Sequence, residues 1–197
     1  MGFMIIGLDI DNVISDFDGC MEGVFVEEDK NKRNTGVLNP KLHYMRGMLD
    51  WSEDEVNEFL ARECEKYARV LKIRKNARYY INRLIEDGHT VILITYRKEP
   101  NFMDGEKTTR EWLKLKGINY HKLVLSDSPD KTPECKENNI DIMFDDRAGY
   151  VYKMREGGVN CVLVLTKFNQ KERKNLPHVS GWKQLYNCVQ EYQKTLY

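Results

Sequence analysis

The sequence lacks any close pair of cysteines. Its five (Cys20, Cys64, Cys135, Cys161 and Cys188) are scattered, odd in number and never spaced as CxxC. That excludes a disulfide framework and a zinc knuckle, and the expectation is five reduced packing residues. Net charge is also missing, because 31 Lys plus Arg balance 31 Asp plus Glu. No broad basic field exists to hold a nucleic-acid polymer by its phosphates, although local fields still suit a small charged ligand. No apolar run approaches the length of a membrane span. The opening stretch MGFMIIGLDID is apolar but short, has no basic flank and reaches an acid at Asp9. The expectation is therefore no signal peptide, no membrane partner and a cytoplasmic location. The four histidines, His43, His89, His121 and His178, show no metal-ligand spacing.

What is present points to an α/β domain. The 197 residues suffice for one compact core plus a modest insertion. Unbroken apolar runs occur at Phe3–Leu8, Thr90–Thr95, Lys122–Ser126, Asp141–Phe144 and Cys161–Leu165. Continuous runs of this length suit strands buried on both faces, as in a parallel sheet. Helical patterns lie between them, at Arg74–Asp87, Glu106–Lys116, Ala148–Glu156 and Ser180–Lys194. Gly88 and Gly117 follow two of these as natural helix stops. The alternation predicts crossover units and a doubly wound parallel sheet.

Residues 17–74 break that rhythm. Glu27–Gly36 is polar and reads as a loop. Ser52 and Glu55 then form a capping-box pattern, with Trp51 placed to staple onto Val56. Val56, Phe59, Leu60, Tyr67 and Leu71 recur at helical spacing. The expectation is a small helical cap at 17–74, inserted into a core made of 1–16 and 75–197, with its apolar stripe over the sheet's active edge. A helix packed beside the sheet as ordinary core is the plainer alternative.

Two acidic pairs sit where strands should end. Asp9 and Asp11 follow the first run, and Asp145 and Asp146 follow the fourth. Ligands of open α/β sheets bind at the carboxyl ends of strands. One carboxylate there can attack phosphorus while another moves a proton. Carboxylates from separate strands can also converge on a hard cation such as Mg2+. Thr95 ends the second run, and Lys131 lies between the third and fourth. Alone, each has a bland reading as turn, helix start or surface residue. Their order and spacing carry the case.

The segments FMIIGLDIDNVI, VILIT, DKT and DIMFDDR resemble the four motifs of the haloacid dehalogenase superfamily, from Phe3 to Arg147. DIDNVISDF, DKT, DDR and the late VSGWKQL are similar to segments of the 5′(3′)-deoxyribonucleotidases within it. Two departures stand out: Asn12 replaces a usual Gly, and Tyr96-Arg97 replaces a small residue. The resemblance implies a Rossmann-like core and a magnesium-dependent phosphomonoesterase acting on a small phosphorylated metabolite, in the first place a nucleoside monophosphate. It implies Asp9 as nucleophile and metal ligand, and Asp11 as acid–base with its backbone carbonyl on the metal. Asp146 would be a direct ligand and Asp145 a ligand or its support. Thr95 and Lys131 would bind phosphate, and Phe17 would contact substrate. A sugar-phosphate phosphatase, a phosphomutase and a non-catalytic binding module remain alternatives. Oligomeric state is not legible.

Overall fold

A computed structural model describes residues 2–196. Six strands, β1 (Ile5–Leu8), β2 (Thr90–Thr95), β3 (Lys122–Leu125), β4 (Ile142–Asp145), β5 (Cys161–Val164) and β6 (His178–Val179), form one sheet. Their order is β3-β2-β1-β4-β5-β6, and every pairing is parallel. This is the doubly wound order, which reverses direction between β1 and β4 and opens a crevice there. The predicted strands appear within a residue or two of their expected limits. The two-residue β6 was not expected.

The apolar runs are continuous because both faces of the sheet are covered. Ile6, Leu8, Val91, Leu93, Ile142, Phe144, Val162 and Val164 enter one core cluster. It is shared with α3 (Ala77–Glu86), α4 (Gly105–Lys116) and α7 (Trp182–Leu196). The alternate residues Ile92, Ile94, Met143, Cys161 and Leu163 enter a second cluster. That face is covered by α5 (Thr132–Glu137) and α6 (Ala148–Glu156). In β1 the backbone lies close to its neighbour: a Cβ on Gly7 would sit 2.6 Å from the Met143 sulfur. Gly88 ends α3's last turn at φ +91°, which a side chain would resist. Trp112 and Trp182 are buried, and their indole N–H groups donate to the Leu71 and Val13 carbonyls at 3.0 Å. The five cysteines are unpaired, as expected.

Between β1 and β2 the chain forms α1 (Phe17–Lys32) and α2 (Glu53–Ala68). The reading of Glu27–Gly36 as a loop is corrected, since α1 runs to Lys32 and the loop begins at Arg33. Charged residues there are good helix formers and pair along the surface, as Lys32 does with Glu28 at 3.0 Å. Only Phe25 and Asp29 are buried in that half, so no apolar stripe announces the helix. The start of α2 is as read: Ser52 accepts from the Glu55 N–H, and the Glu55 carboxylate accepts from the Ser52 N–H. Such a cap is worth about 1 kcal/mol. Leu71 is buried but lies beyond the end of α2.

Met21, Phe25, Tyr44, Met48, Val56, Phe59 and Leu60 form a third cluster, joined at its border by Trp51 and Tyr67. Phe25 is its hub, with ring centroids 4.7 Å from Phe59, 5.0 Å from Tyr44 and 5.3 Å from Trp51. The buried Asp29 carboxylate accepts from the Gly36 N–H, the Trp51 indole and the Thr35 hydroxyl, pinning the 33–52 segment to α1. Further along α2, Cys64 and Ala68 pack into the main sheet cluster instead. The chain leaves and re-enters the sheet region side by side. The Asp16 N–H donates to the Lys72 carbonyl, and the Arg74 N–H to the Ile14 carbonyl, both at 2.8 Å. Among the described residues no helix is long and apolar enough to cross a membrane.

Candidate active site

Three strand ends meet at the crevice. Asp9 follows β1 and is held there by its N–H, which donates to the Phe144 carbonyl at 2.9 Å. Thr95 ends β2, Asp145 ends β4 and Asp146 follows it. Lys131 sits at the N-terminus of α5, so the residue read as a loop lysine is a helix cap position. Its ammonium lies 2.7 Å from Asp9 Oδ1 and 2.6 Å from Asp145 Oδ2. Asp145 Oδ1 accepts from the Arg147 N–H at 2.8 Å, so both its oxygens are engaged. Asp9, Asp145 and Asp146 each present a carboxylate oxygen within 4.8 Å of the others.

All four of these charged residues are buried. Burial pushes the Asp9 carboxyl up to about 6; Lys131 opposes the shift, and Asp145 and Asp11 add to it. Asp146 is raised well above its ordinary value by burial, then by Asp145 and Asp9. Burial alone would lower Lys131, but Asp145 and Asp9 outweigh it and raise it. Lys131 pairs with Asp9 and Asp145, while Asp146 accepts from the Asn12 amide and Arg147 offsets its raised pKa only in part. An all-oxygen donor set of this kind suits a hard divalent cation, so the residues fit Mg2+.

Asp11 lies two residues past Asp9 with its side chain 23% exposed. Its carboxylate is gripped by Arg97: Nε donates to Oδ2 at 3.0 Å and Nη2 to Oδ1 at 2.5 Å. Ser15 Oγ donates to Oδ1 at 3.0 Å. Asn12, at φ +61°, makes the sharp turn between them. Asn tolerates that conformation better than other L-residues, which explains how it stands where a Gly is usual. Its side chain also links two parts of the site. Nδ2 donates to Asp146 Oδ2 at 3.0 Å, while Oδ1 accepts from the Asp18 N–H at 2.8 Å.

A cavity of about 270 Å³ opens over these groups. Asp9, Asp11, Thr95, Lys131, Asp145 and Asp146 all line it, and so does Phe17, the first residue of α1. The walls add Leu60 and Cys64 from α2 and Tyr96, Phe102 and Tyr150 from the sheet side. The structure therefore brings every expected site residue to one cavity. Arg97, Asn12, Asp18 and Arg147 were not read as site residues. The signal for the first two was present, since both mark departures from the resembled motif. The Asp18 carboxylate accepts from the Tyr44 hydroxyl at 2.9 Å and lies 3.6 Å from His43. Burial would raise it, but hydrogen bonding and charge from His43, with Tyr44 and Asn12, lower it overall.

This fold, with carboxylates and a lysine at this edge, is the fold of haloacid dehalogenase-like hydrolases. A haloacid dehalogenase-like hydrolase from Streptococcus pneumoniae superposes with a TM-score of 0.66 at 12% identity, covering 95% of this chain and 98% of its own. The structure of a predicted phosphatase from Clostridium acetobutylicum gives 0.65 at 14%, covering 97% and 100%. The chain belongs to the 5′ nucleotidase, deoxy (pyrimidine), cytosolic type C family, whose sequence model matches residues 3–194. A nucleotidase of Clostridium acetobutylicum is 24% identical over 183 residues, covering 90% of this chain and 93% of its own. The protein is thus a phosphatase of a nucleotidase family.

Proposed function

We propose that the protein hydrolyses nucleoside 5′- or 3′-monophosphates through a phosphorylated Asp9, with Mg2+ as cofactor, in the cytosol. The observation that carries this reading is the Lys131 ammonium between Asp9 and Asp145 on the floor of the cavity. An attacking carboxylate and a phosphate repel each other, and a buried cation there offsets the repulsion. An Asp9 oxygen attacks phosphorus while the ester P–O bond breaks. Asp11 gives its proton to the departing oxygen. The Asp11 carboxylate then takes a proton from water, whose oxygen attacks phosphorus. The Asp9–phosphorus link breaks, phosphate leaves and both acids return to their starting states.

Asp9, Asp146 and the Asp11 backbone carbonyl would hold Mg2+, with Asp145 supporting them through Lys131. When bound, the ion would neutralise phosphate charge in the transition state. Thr95 and Lys131 would take phosphate oxygens. Residues 17–74 serve as the cap, and Phe17, with Leu60 and Cys64, faces the substrate from it. The nucleotide assignment is supported by the family and by the nucleotidase relative.

The test is phosphate release from a panel of ribo- and deoxyribonucleoside monophosphates and sugar phosphates, with Mg2+ and with chelator. Nucleotides should turn over fastest, and chelation should abolish release. Fastest turnover of a sugar phosphate would overturn the substrate class. Full activity in excess chelator would overturn the metal.

A further inference from the structure

We propose that Arg97 is a positioning residue for the reaction: it clamps the Asp11 carboxylate in one orientation over the cavity, and proton transfer by Asp11 depends on that clamp. This rests on the acid–base reading of Asp11 given above.

The Arg97 side chain is 0% exposed. A guanidinium taken wholly out of water persists only when its donors are matched. Here Nε and Nη2 meet the two oxygens of Asp11, and Nη1 donates to the Thr109 hydroxyl at 3.2 Å. The Phe102 ring packs 5.4 Å from the guanidinium carbon. The Arg97 carbonyl packs so close to Gly105 that a Cβ there would collide with it.

Asp11 is not rigid without Arg97. Its side chain is partly exposed, and its other side-chain contact among the described residues is the Ser15 hydroxyl. A paired fork sets both the position and the plane of a carboxylate, which a single hydroxyl does not. Acid–base catalysis demands that placement, and a shift of about 1 Å can cost about 100-fold. Arg97 stands two residues past Thr95, so one strand end sets both a phosphate-facing hydroxyl and the aim of the acid. A purely structural ion pair would share the burial and the geometry. It would not discriminate between substrates by their leaving groups.

The experiment is single-turnover release of the leaving group, with Mg2+, from a nucleoside 5′-monophosphate and from p-nitrophenyl phosphate. The nucleoside departs as a poor leaving group that needs a proton, and nitrophenolate departs without one. Arg97→Lys and Arg97→Met should slow nucleoside release by about 10- to 100-fold, and nitrophenolate release far less. Asp11→Asn should show the same bias more strongly. Adding Arg97→Met to Asp11→Asn should cost little more, because both act through one group. Melting curves establish that each variant is folded, and Arg97→Lys decides the matter if Arg97→Met does not fold. Equal slowing of both substrates by the Arg97 variants would overturn the clamp and leave the Asp11 reading standing, as would losses that add in full to those of Asp11→Asn. Equal slowing by Asp11→Asn itself would overturn the acid–base reading, and the clamp with it.

Discussion

The floor and the roof of the cavity are built from opposite materials. The floor is charge held out of water: Asp9, Asp145, Asp146 and Lys131 are buried within reach of one another, on strand ends and a helix start. The roof, on the α1–α2 side, presents Phe17, Met45 and Leu60 to the cavity and is backed by an aromatic and aliphatic cluster around Phe25, pinned by the polar groups on Asp29 and Asp18. Buried like charges are individually costly, so the floor survives because the sheet on both sides over-determines it. The roof is an ordinary small core and stands by burial of apolar area. Under the proposed reaction, such a division would keep the chemistry on the sheet and leave the α1–α2 side to meet the substrate.

That division can be broken by experiment. The largest effect should come from the floor. Asp9→Asn should lower kcat by about 10⁴-fold or more while the protein still folds, measured by phosphate release and circular dichroism. Surviving turnover would mean that the floor does not do the chemistry. Next comes the roof's own core: Phe59→Ala should cost about 3–5 kcal/mol in urea unfolding. Its effect on kcat in the folded fraction should be far smaller than that of Asp9→Asn, and a comparable loss would show that floor and roof are not separate.

The third effect is linkage of metal, pH and stability. Asp9 is raised from 3.8 to about 6, chiefly by burial. Between about pH 4 and 6 the folded protein therefore keeps a proton that the unfolded chain has lost. Without metal, stability should fall as pH rises through that window and stay low above it. Mg2+ at about 100 times its dissociation constant should restore about 2.7 kcal/mol at pH 7.5, and much less at pH 5. Asp146→Asn should erase the response, and scanning calorimetry reads it without any turnover. The smallest effect is at the boundary of the two regions. Phe17→Ala should change relative kcat/KM among nucleotides by about 10-fold, or about 1.4 kcal/mol. Uniform slowing would remove Phe17 from substrate choice.

The sheet was legible because burial on both faces leaves a continuous apolar run, which little else produces in four to six residues. The start of α2 was legible because a capping box is a local device. The second half of α1 was not, since its helix is held by propensity and surface ion pairs rather than by a stripe. β6 and α5 are too short to carry a period. Asp9, Asp11, Thr95, Lys131, Asp145 and Asp146 stood out because strand ends bring distant residues together in a fixed order. Phe17 was chosen from the resembled first motif, and it lines the cavity. Arg97 and Asn12 were visible only as oddities. What each one grips lies far away in sequence: Asp11 for Arg97, Asp146 for Asn12.

The paired hydrogen bonds that join Ile14–Asp16 to Lys72–Arg74 have a consequence for descent. A segment whose two ends meet at one doorway imposes nothing on strand order, whatever its length. Closing a flexible loop twice as long costs only about 0.6 kcal/mol more. Ancestral chains could therefore lengthen, shorten or replace this stretch in single genetic events while inheriting the strand order intact. Grafting a relative's segment between these same residues would be the laboratory version of that history.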